Sequence, residues 1–135
     1  MTAKEYLEQI RTLQIRLEIM RTRKQNLMDA LTNVSPNYSD MPHSSTPNVH
    51  RMEELICAKI DIDNEITSAS LELEKILKMI NSLENSVYSF ILSERYIKRQ
   101  PWNKIACEIN ICQSHVFRYH NEALAEIDTM RANES

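Results

Sequence analysis

Apolar residues recur at heptad spacing along two long stretches of the chain. In residues 1–34 they are Ile10, Leu13, Leu17, Met20, Leu27, Leu31 and Val34. In residues 51–90 they are Met52, Leu55, Ile62, Ile66, Ala69, Leu73, Ile76, Ile80, Leu83, Val87 and Phe90. Intervals that alternate between three and four residues place such side chains on one helix face, so both stretches are predicted to be coiled-coil helices. Lys24 and Lys59 interrupt the two apolar stripes, and we expect them to fix the register or to extend toward solvent.

Residues 35–50 separate the two stripes and differ from them in composition. This segment contains three of the four prolines, Pro36, Pro42 and Pro47, together with five serines and threonines. We interpret it as a linker that lets the two helices pair as an antiparallel hairpin. Because long helices are marginally stable alone, the stripes must be buried against each other or against a second copy of the chain. The same heptads fit both arrangements, and we expect a homo-oligomer, with a dimer favoured.

The pattern changes after Phe90, and residues 91–135 form a separate C-terminal module. Pro101 cannot continue a helix but suits the start of one, which predicts a helix end near Lys98 and a short helix over Trp102–Ile109. Asn110 is well suited to a left-handed turn after that helix. A further helix is predicted from Cys112 or Ser114 to about Ala132. The predicted fold is therefore all-α, a long helical hairpin followed by a helix-turn-helix module.

Composition excludes several functional classes. The chain contains no glycine, and phosphate loops and dinucleotide-binding folds both need glycine where the backbone approaches the ligand. The histidines lie in the linker or on the last helix without paired carboxylates beside them, so we expect no catalytic residues and no enzymatic activity. Three scattered cysteines, no signal peptide and no long apolar run predict a cytoplasmic protein without membrane contact.

Charge is distributed unevenly along the chain. The net charge is -3, yet the segment from Arg95 to Asn121 carries five basic side chains against Glu108 alone. Phosphate contacts dominate the affinity of proteins for DNA, so we expect this segment to bind double-stranded DNA. The residues predicted to contact phosphates are Arg95, Lys98, Arg99 and Lys104. The start of the second helix of a helix-turn-helix contacts base edges, and the candidates there are Gln113, Ser114, His115, Phe117, Arg118 and Asn121.

Three runs of the C-terminal module carry a resemblance to a known family. They are Leu92-Ser93-Glu94-Arg95-Tyr96, the run from Trp102 to Ile111, and the run from Val116 to Leu124. They resemble region 4 of sigma-70-type factors, and the whole chain is similar to small phage-encoded late-transcription regulators. This resemblance implies a sequence-specific regulator in the bacterial host cell and contact with RNA polymerase. The chain departs from the family at Asn110, where glycine is common, and over residues 113–115, where charged residues are common.

Other functions fit the same features. Small phage DNA-packaging subunits of the terminase type also join a helix-turn-helix to helical oligomerisation segments. A protein-only helical adaptor is a further alternative, in which Phe117 is the anchor and no DNA is bound. Cys107, Cys112, His115 and His120 suggest zinc, but their spacing matches no structural zinc pattern, so we expect no metal and no cofactor. Trp102 is expected in the core, and Phe117 either contacts a base or is buried.

Overall fold

The computed structural model describes residues 1–34 and 45–134. It contains five α-helices, which are α1 (Ala3–Val34), α2 (Ser45–Asn81), α3 (Ser86–Leu92), α4 (Trp102–Ile109) and α5 (Gln113–Glu134). A π-helical turn over Ser93–Ile97 continues α3. The described residues include no β-strand, so the all-α prediction is confirmed. Over the same residues, no helix combines the length and apolar character that crossing a membrane requires.

The chain divides into two compact units. Unit 1 comprises Met1–Gln14 and Glu72–Ser135, and unit 2 comprises Ile15–Leu71. Both long helices therefore contribute to both units, whereas α3, α4 and α5 belong to unit 1 alone.

In unit 2, the two lysines that interrupt the apolar stripes share one carboxylate. Lys24 Nζ on α1 lies 2.8 Å from Asp63 Oδ1, and Lys59 Nζ lies 3.4 Å from Asp63 Oδ2. The hydrogen bond from Lys24 is the main cause of a lowered pKa at Asp63, and Lys59 adds to it. Leu17 and Leu55 are buried in the same unit. Each lysine is thus paired, and the shared carboxylate ties one position of α1 to one turn of α2.

The second long helix has different bounds from those predicted. It begins at Ser45, so residues 45–50 of the predicted linker are helical, while residues 35–44 lie outside the described residues. Pro47 falls in the first turn, where a missing backbone N–H costs no intrahelical bond. The predicted helix over residues 51–90 is instead divided between α2 and α3.

The division of that helix has a local cause at Asn85. Its backbone is extended, with φ −81° and ψ 114°, and its Oδ1 accepts a 2.9 Å hydrogen bond from the Val87 N–H. This is N-capping geometry, which starts a new helix at Ser86. Leu83 stays buried across the break, but Val87 is exposed and leaves the apolar stripe.

The core of unit 1 collects residues from four helices. Its fully buried aliphatic side chains include Leu7 and Ile10 of α1, Ile76 and Ile80 of α2, Ile91 and Leu92 of α3, and Ile127 of α5. Each such side chain stabilises the fold by about 1.5–3 kcal/mol relative to exposure. A second cluster of Ile91, Ile105, Ala106 and Val116 holds α4 and α5 against α3. This packing positions α4 and the N-terminal half of α5.

Candidate nucleic-acid interface

A short turn with defined backbone geometry joins α4 to α5. The bounds of α4 agree with the predicted helix, and Asn110 adopts the predicted left-handed conformation, with φ 56° and ψ 41°. The Ile111 N–H donates to the Ala106 carbonyl at 3.2 Å, which closes the end of α4. The Cys112 carbonyl accepts from the N–H groups of His115 and Val116, which starts α5. The relative placement of the two helices is thus fixed by backbone hydrogen bonds and by the Ile105–Val116 cluster.

One face of α5 is buried and the other is exposed. Val116, His120, Ala123 and Ile127 are buried, at intervals of three and four residues. The six residues predicted to contact bases are all exposed, and they are Gln113, Ser114, His115, Phe117, Arg118 and Asn121. The structure therefore places these side chains together on the accessible side of the first turns of α5.

Arg118 is the one cation among these six residues, and it has partners. Its Nε lies 3.7 Å from Glu122 Oε1, and its guanidinium lies 5.1 Å from the centre of the Tyr119 ring. Glu122 also accepts a hydrogen bond from the Tyr88 hydroxyl, which is the main cause of raising the pKa of Tyr88 to about 12. Exposed ion pairs contribute little to stability, so Glu122 is a weak competitor for the guanidinium.

Cys112, Ser114 and His115 form a small hydrogen-bonded cluster at the start of α5. Cys112 Sγ lies 3.1 Å from Ser114 Oγ and 3.3 Å from His115 Nδ1. The hydrogen bond with Ser114 is the largest cause of a lowered pKa at the Cys112 thiol. His120 lies on the buried face instead, and among the described residues no group of three or more His, Cys, Asp or Glu side chains could hold a metal ion.

An aromatic cluster that was not predicted from the sequence supports α5 from the buried side. His120 Nε2 and the Tyr96 hydroxyl are 2.8 Å apart, and the two rings are stacked. Trp102 contacts His120 and Phe117 edge-on, with ring centres 4.8 and 5.1 Å apart. Trp102 is half-buried, whereas Phe117 remains 41% exposed. Phe117 is thus anchored on Trp102 while much of its ring faces solvent.

Burial controls the protonation of this cluster. Desolvation is the largest of three causes that together lower the pKa of His120 to about 4, and the cations Lys4 and Arg95 are the other two. Desolvation also raises the pKa of Tyr96 to about 12. The pair is therefore neutral near pH 7. A signal for the burial of His120 was present in the sequence, because it lies four residues after Val116 and three before Ala123.

The four residues predicted to contact phosphates differ in their partners in the structure. Lys104 is exposed on α4 and forms no ion pair with any described residue. Lys98 Nζ lies 3.0 Å from Glu94 Oε1, whose side chain is buried. The Arg95 guanidinium lies 4.4 Å from the Trp102 ring centre, and Arg99 donates to Gln14 Oε1 at 3.1 Å. Arg95 and Arg99 both border a cleft beside α1.

These features define an all-helical protein whose last two helices, joined by a tight turn, expose a polar and partly cationic face. The chain belongs to the DUF1492 family of proteins of unknown function, whose profile matches residues 49–128. The match includes α3, α4, the turn and all six exposed candidate residues of α5. No curated protein and no solved structure matches the chain.

Proposed function

We propose that this protein is a sequence-specific, DNA-binding transcription regulator in which α4 and α5 act as a helix-turn-helix. The observation that carries the proposal is the two-sided character of α5. Its buried face is fixed against α3 and α4, and its first turns expose six side chains suited to contact bases. In this motif the second helix enters the major groove by its N-terminal end, which is where these residues lie.

The chemistry of the exposed side chains suits the major groove. Arg118 can donate two hydrogen bonds to guanine, and Gln113 or Asn121 can pair with adenine. Phe117 can contact a thymine methyl group, and its packing on Trp102 limits the conformational freedom lost on binding. Ser114 and His115 are the remaining candidates for base contacts. Specificity therefore comes from several residue types on one helix rather than from charge alone.

Phosphate binding accompanies base contact in this proposal. The Lys104 ammonium group forms no ion pair with any described residue, so it is available for a phosphate. Arg95, Lys98 and Arg99 lie just before α4 in the same module. If about four phosphates are neutralised, affinity falls roughly a hundredfold for each fourfold rise in salt concentration. Because the whole chain has a net charge of -3, we infer that attraction for DNA comes from a local basic surface rather than from overall basicity.

The exposed apolar surface of unit 2 supports a homo-oligomer, with a dimer favoured. Ile15, Ile19, Ile56, Ile60 and Leu71 are each between 43% and 61% exposed. Residues 1–34 carry six basic and four acidic side chains, whereas residues 51–90 carry four basic and eight acidic ones, so the two helices of separate copies are complementary in charge. In the proposed dimer, long helical hairpins join two C-terminal modules that bind paired half-sites.

The resemblance to sigma-70 region 4 and to phage late-transcription regulators adds the biological setting of the proposal. It supports action in the cytoplasm of a bacterial host cell. It also supports contact with RNA polymerase.

The test is selection of duplex DNA from a random library with the purified protein at about 50 mM salt, followed by affinity measurements at about 200 mM salt. We expect an enriched motif that Arg118→Ala weakens by about tenfold to a hundredfold, because one bidentate base contact is lost. Arg21→Ala is the matched control, since Arg21 is an exposed arginine of unit 2, and it should bind like the wild type.

Two other outcomes would replace the proposal. Salt-sensitive binding without a motif, together with a ring of about eight or more subunits by light scattering, would indicate a DNA-packaging subunit. No binding at low salt would indicate a protein-only adaptor, with Phe117 as the anchor residue.

A further inference from the structure

A cleft of about 470 Å³ lies in unit 1 between the first turns of α1 and the segment that follows α3. Its lining includes Glu8 and Arg11 from α1, and Arg95, Tyr96 and Arg99 from the other side. A single phosphate is much smaller than this space, whereas pockets for small organic ligands begin at about 300 Å³. The cleft therefore has room for a small phosphorylated molecule.

The charges around the cleft are unbalanced. Three guanidinium groups face one carboxylate, which leaves two positive charges. Arg11 is exposed and forms no ion pair with any residue that the structure describes. A phosphate monoester carries about −1.5 to −2 charges near pH 7, so it would neutralise the cleft.

The guanidinium groups of Arg95 and Arg99 are oriented by hydrogen bonds and keep further N–H donors for a ligand. Arg95 Nη1 donates to the Gln100 carbonyl at 3.2 Å, and Arg99 Nη2 donates to Gln14 Oε1 at 3.1 Å. Each guanidinium has five N–H donors, and the planar fork suits the oxygens of a phosphate. One hydrogen bond from each of these side chains orients it and leaves the remaining donors for a ligand.

The backbone at Arg99 is consistent with a functional constraint. Its φ of 58° is in the left-handed region, which disfavours residues with a Cβ atom. The bond from the Gln100 N–H to the Glu94 carbonyl, 2.9 Å long, closes this turn. Arg99 is exposed, so core packing does not explain an arginine at a position that glycine would fill without strain. Its side chain instead reaches α1 at the edge of the cleft.

We propose that this cleft binds the phosphate group of a small phosphorylated molecule, through Arg11, Arg95 and Arg99. This site goes beyond DNA binding by α5, although a DNA backbone phosphate offers the same chemistry and the test must separate the two sources. The site is joined to α5 by direct contacts. Arg95 lies over the Trp102 ring, and Trp102 contacts Phe117, so occupancy of the cleft acts on a residue that we propose contacts a base.

Trp102 provides the measurement, because it is the single tryptophan of the chain and lies against Arg95. Ribose 5-phosphate is titrated into the full-length protein at constant ionic strength while Trp102 fluorescence is recorded, with ribose as the uncharged control. We expect a saturable change with ribose 5-phosphate and none with ribose. Arg11→Gln should weaken binding by about tenfold, because charge-assisted hydrogen bonds to one of three guanidinium groups are lost. Arg16→Gln, an exposed arginine of α1 in unit 2, should have no effect.

A second variant distinguishes loss of binding from loss of folding. Arg99→Gly removes a guanidinium while it relieves the left-handed backbone, so it should fold and still bind ribose 5-phosphate about tenfold more weakly. Circular dichroism checks that its helical content is unchanged.

Measurements of duplex DNA binding distinguish the two sources of phosphate. If the ligand is a free phosphorylated molecule, Arg11→Gln leaves affinity for duplex DNA within about twofold of the wild type. If it is the DNA backbone, Arg11→Gln weakens binding to all duplexes equally and added duplex displaces ribose 5-phosphate, which would overturn the assignment to a small molecule. The proposal is wrong if Arg11→Gln alters neither sugar phosphate nor DNA binding. This result leaves the role of Arg118 intact, and the two proposals therefore fail separately.

Discussion

Among the residues that the structure describes in this glycine-free chain, two adopt backbone conformations that glycine usually takes. Arg99 has φ 58° and Asn110 has φ 56°. Asn110 was predictable, because asparagine tolerates the left-handed region better than other residues with a Cβ atom and follows a helix directly. Arg99 was not, since arginine has no such preference, and its side chain contacts a residue distant in the sequence, Gln14.

The cost of the left-handed turn at Asn110 is measurable. We expect Asn110→Ala to lower the free energy of unfolding by about 1 kcal/mol, because alanine has a Cβ atom without the polar side chain that suits this conformation. Asn110→Gly should be at least as stable as the wild type. Urea denaturation gives the order, and Asn103→Ala, an exposed asparagine of α4, is the control with little expected change. Equal stability of Asn110→Ala and wild type would contradict this account of the turn.

At the scale of the helix, sequence patterns predicted the bounds of α4 but not the break between α2 and α3. The bounds of α4 followed from Pro101 and Asn110, which are strong local signals on either side. The break between α2 and α3 was missed, because Leu83, Val87 and Phe90 continue the heptad spacing through it. The polar run from Asn81 to Ser86, broken only by Leu83, was the available signal, and it contains the residue that caps α3.

The cap at Asn85 is expected to contribute to the free energy of unfolding. Replacement by alanine removes the acceptor for the Val87 N–H, and we expect a loss of about 1 kcal/mol in the free energy of unfolding. Ser86→Ala is the matched control, because Ser86 is exposed in the same turn and is outside the capping bond. Thermal denaturation of the two variants compares them directly. If both lose the same stability, the cap is not what holds the start of α3.

At the scale of the whole molecule, the exposure of the candidate residues on α5 was easier to predict than the contacts of the basic side chains around them. The six candidate base-contacting residues share one exposed face because helical periodicity alone determines it. The positions of the cationic side chains could not be predicted in the same way. Arg99 contacts Gln14 of α1 and Arg95 lies over Trp102, and no local pattern specifies such contacts. Counting charges identified a basic segment but could not show that Arg95 and Arg99 border a cleft.

The burial of His120 makes the stability of the whole molecule depend on pH. Its pKa is about 4 in the folded protein, mainly through desolvation, against about 6.5 when unfolded. Protonation therefore favours the unfolded chain, so this contribution is complete above about pH 7 and is lost as the pH falls toward 4. We expect the free energy of unfolding to decrease by about 2 kcal/mol between about pH 7 and about pH 5, a range in which most carboxylates stay ionised.

Urea denaturation across this pH range isolates the contribution of His120. His120→Gln keeps a group that can hydrogen-bond to the Tyr96 hydroxyl but cannot titrate, so its stability should vary much less with pH even if it is lower overall. His115→Gln changes an exposed histidine of the same helix and should retain the wild-type dependence. An unchanged pH dependence in His120→Gln would mean that another group carries the linkage. A flattened one would show that the aromatic cluster beneath α5 requires a neutral imidazole, so that acid weakens the support on which Phe117 and the proposed DNA-binding face rest.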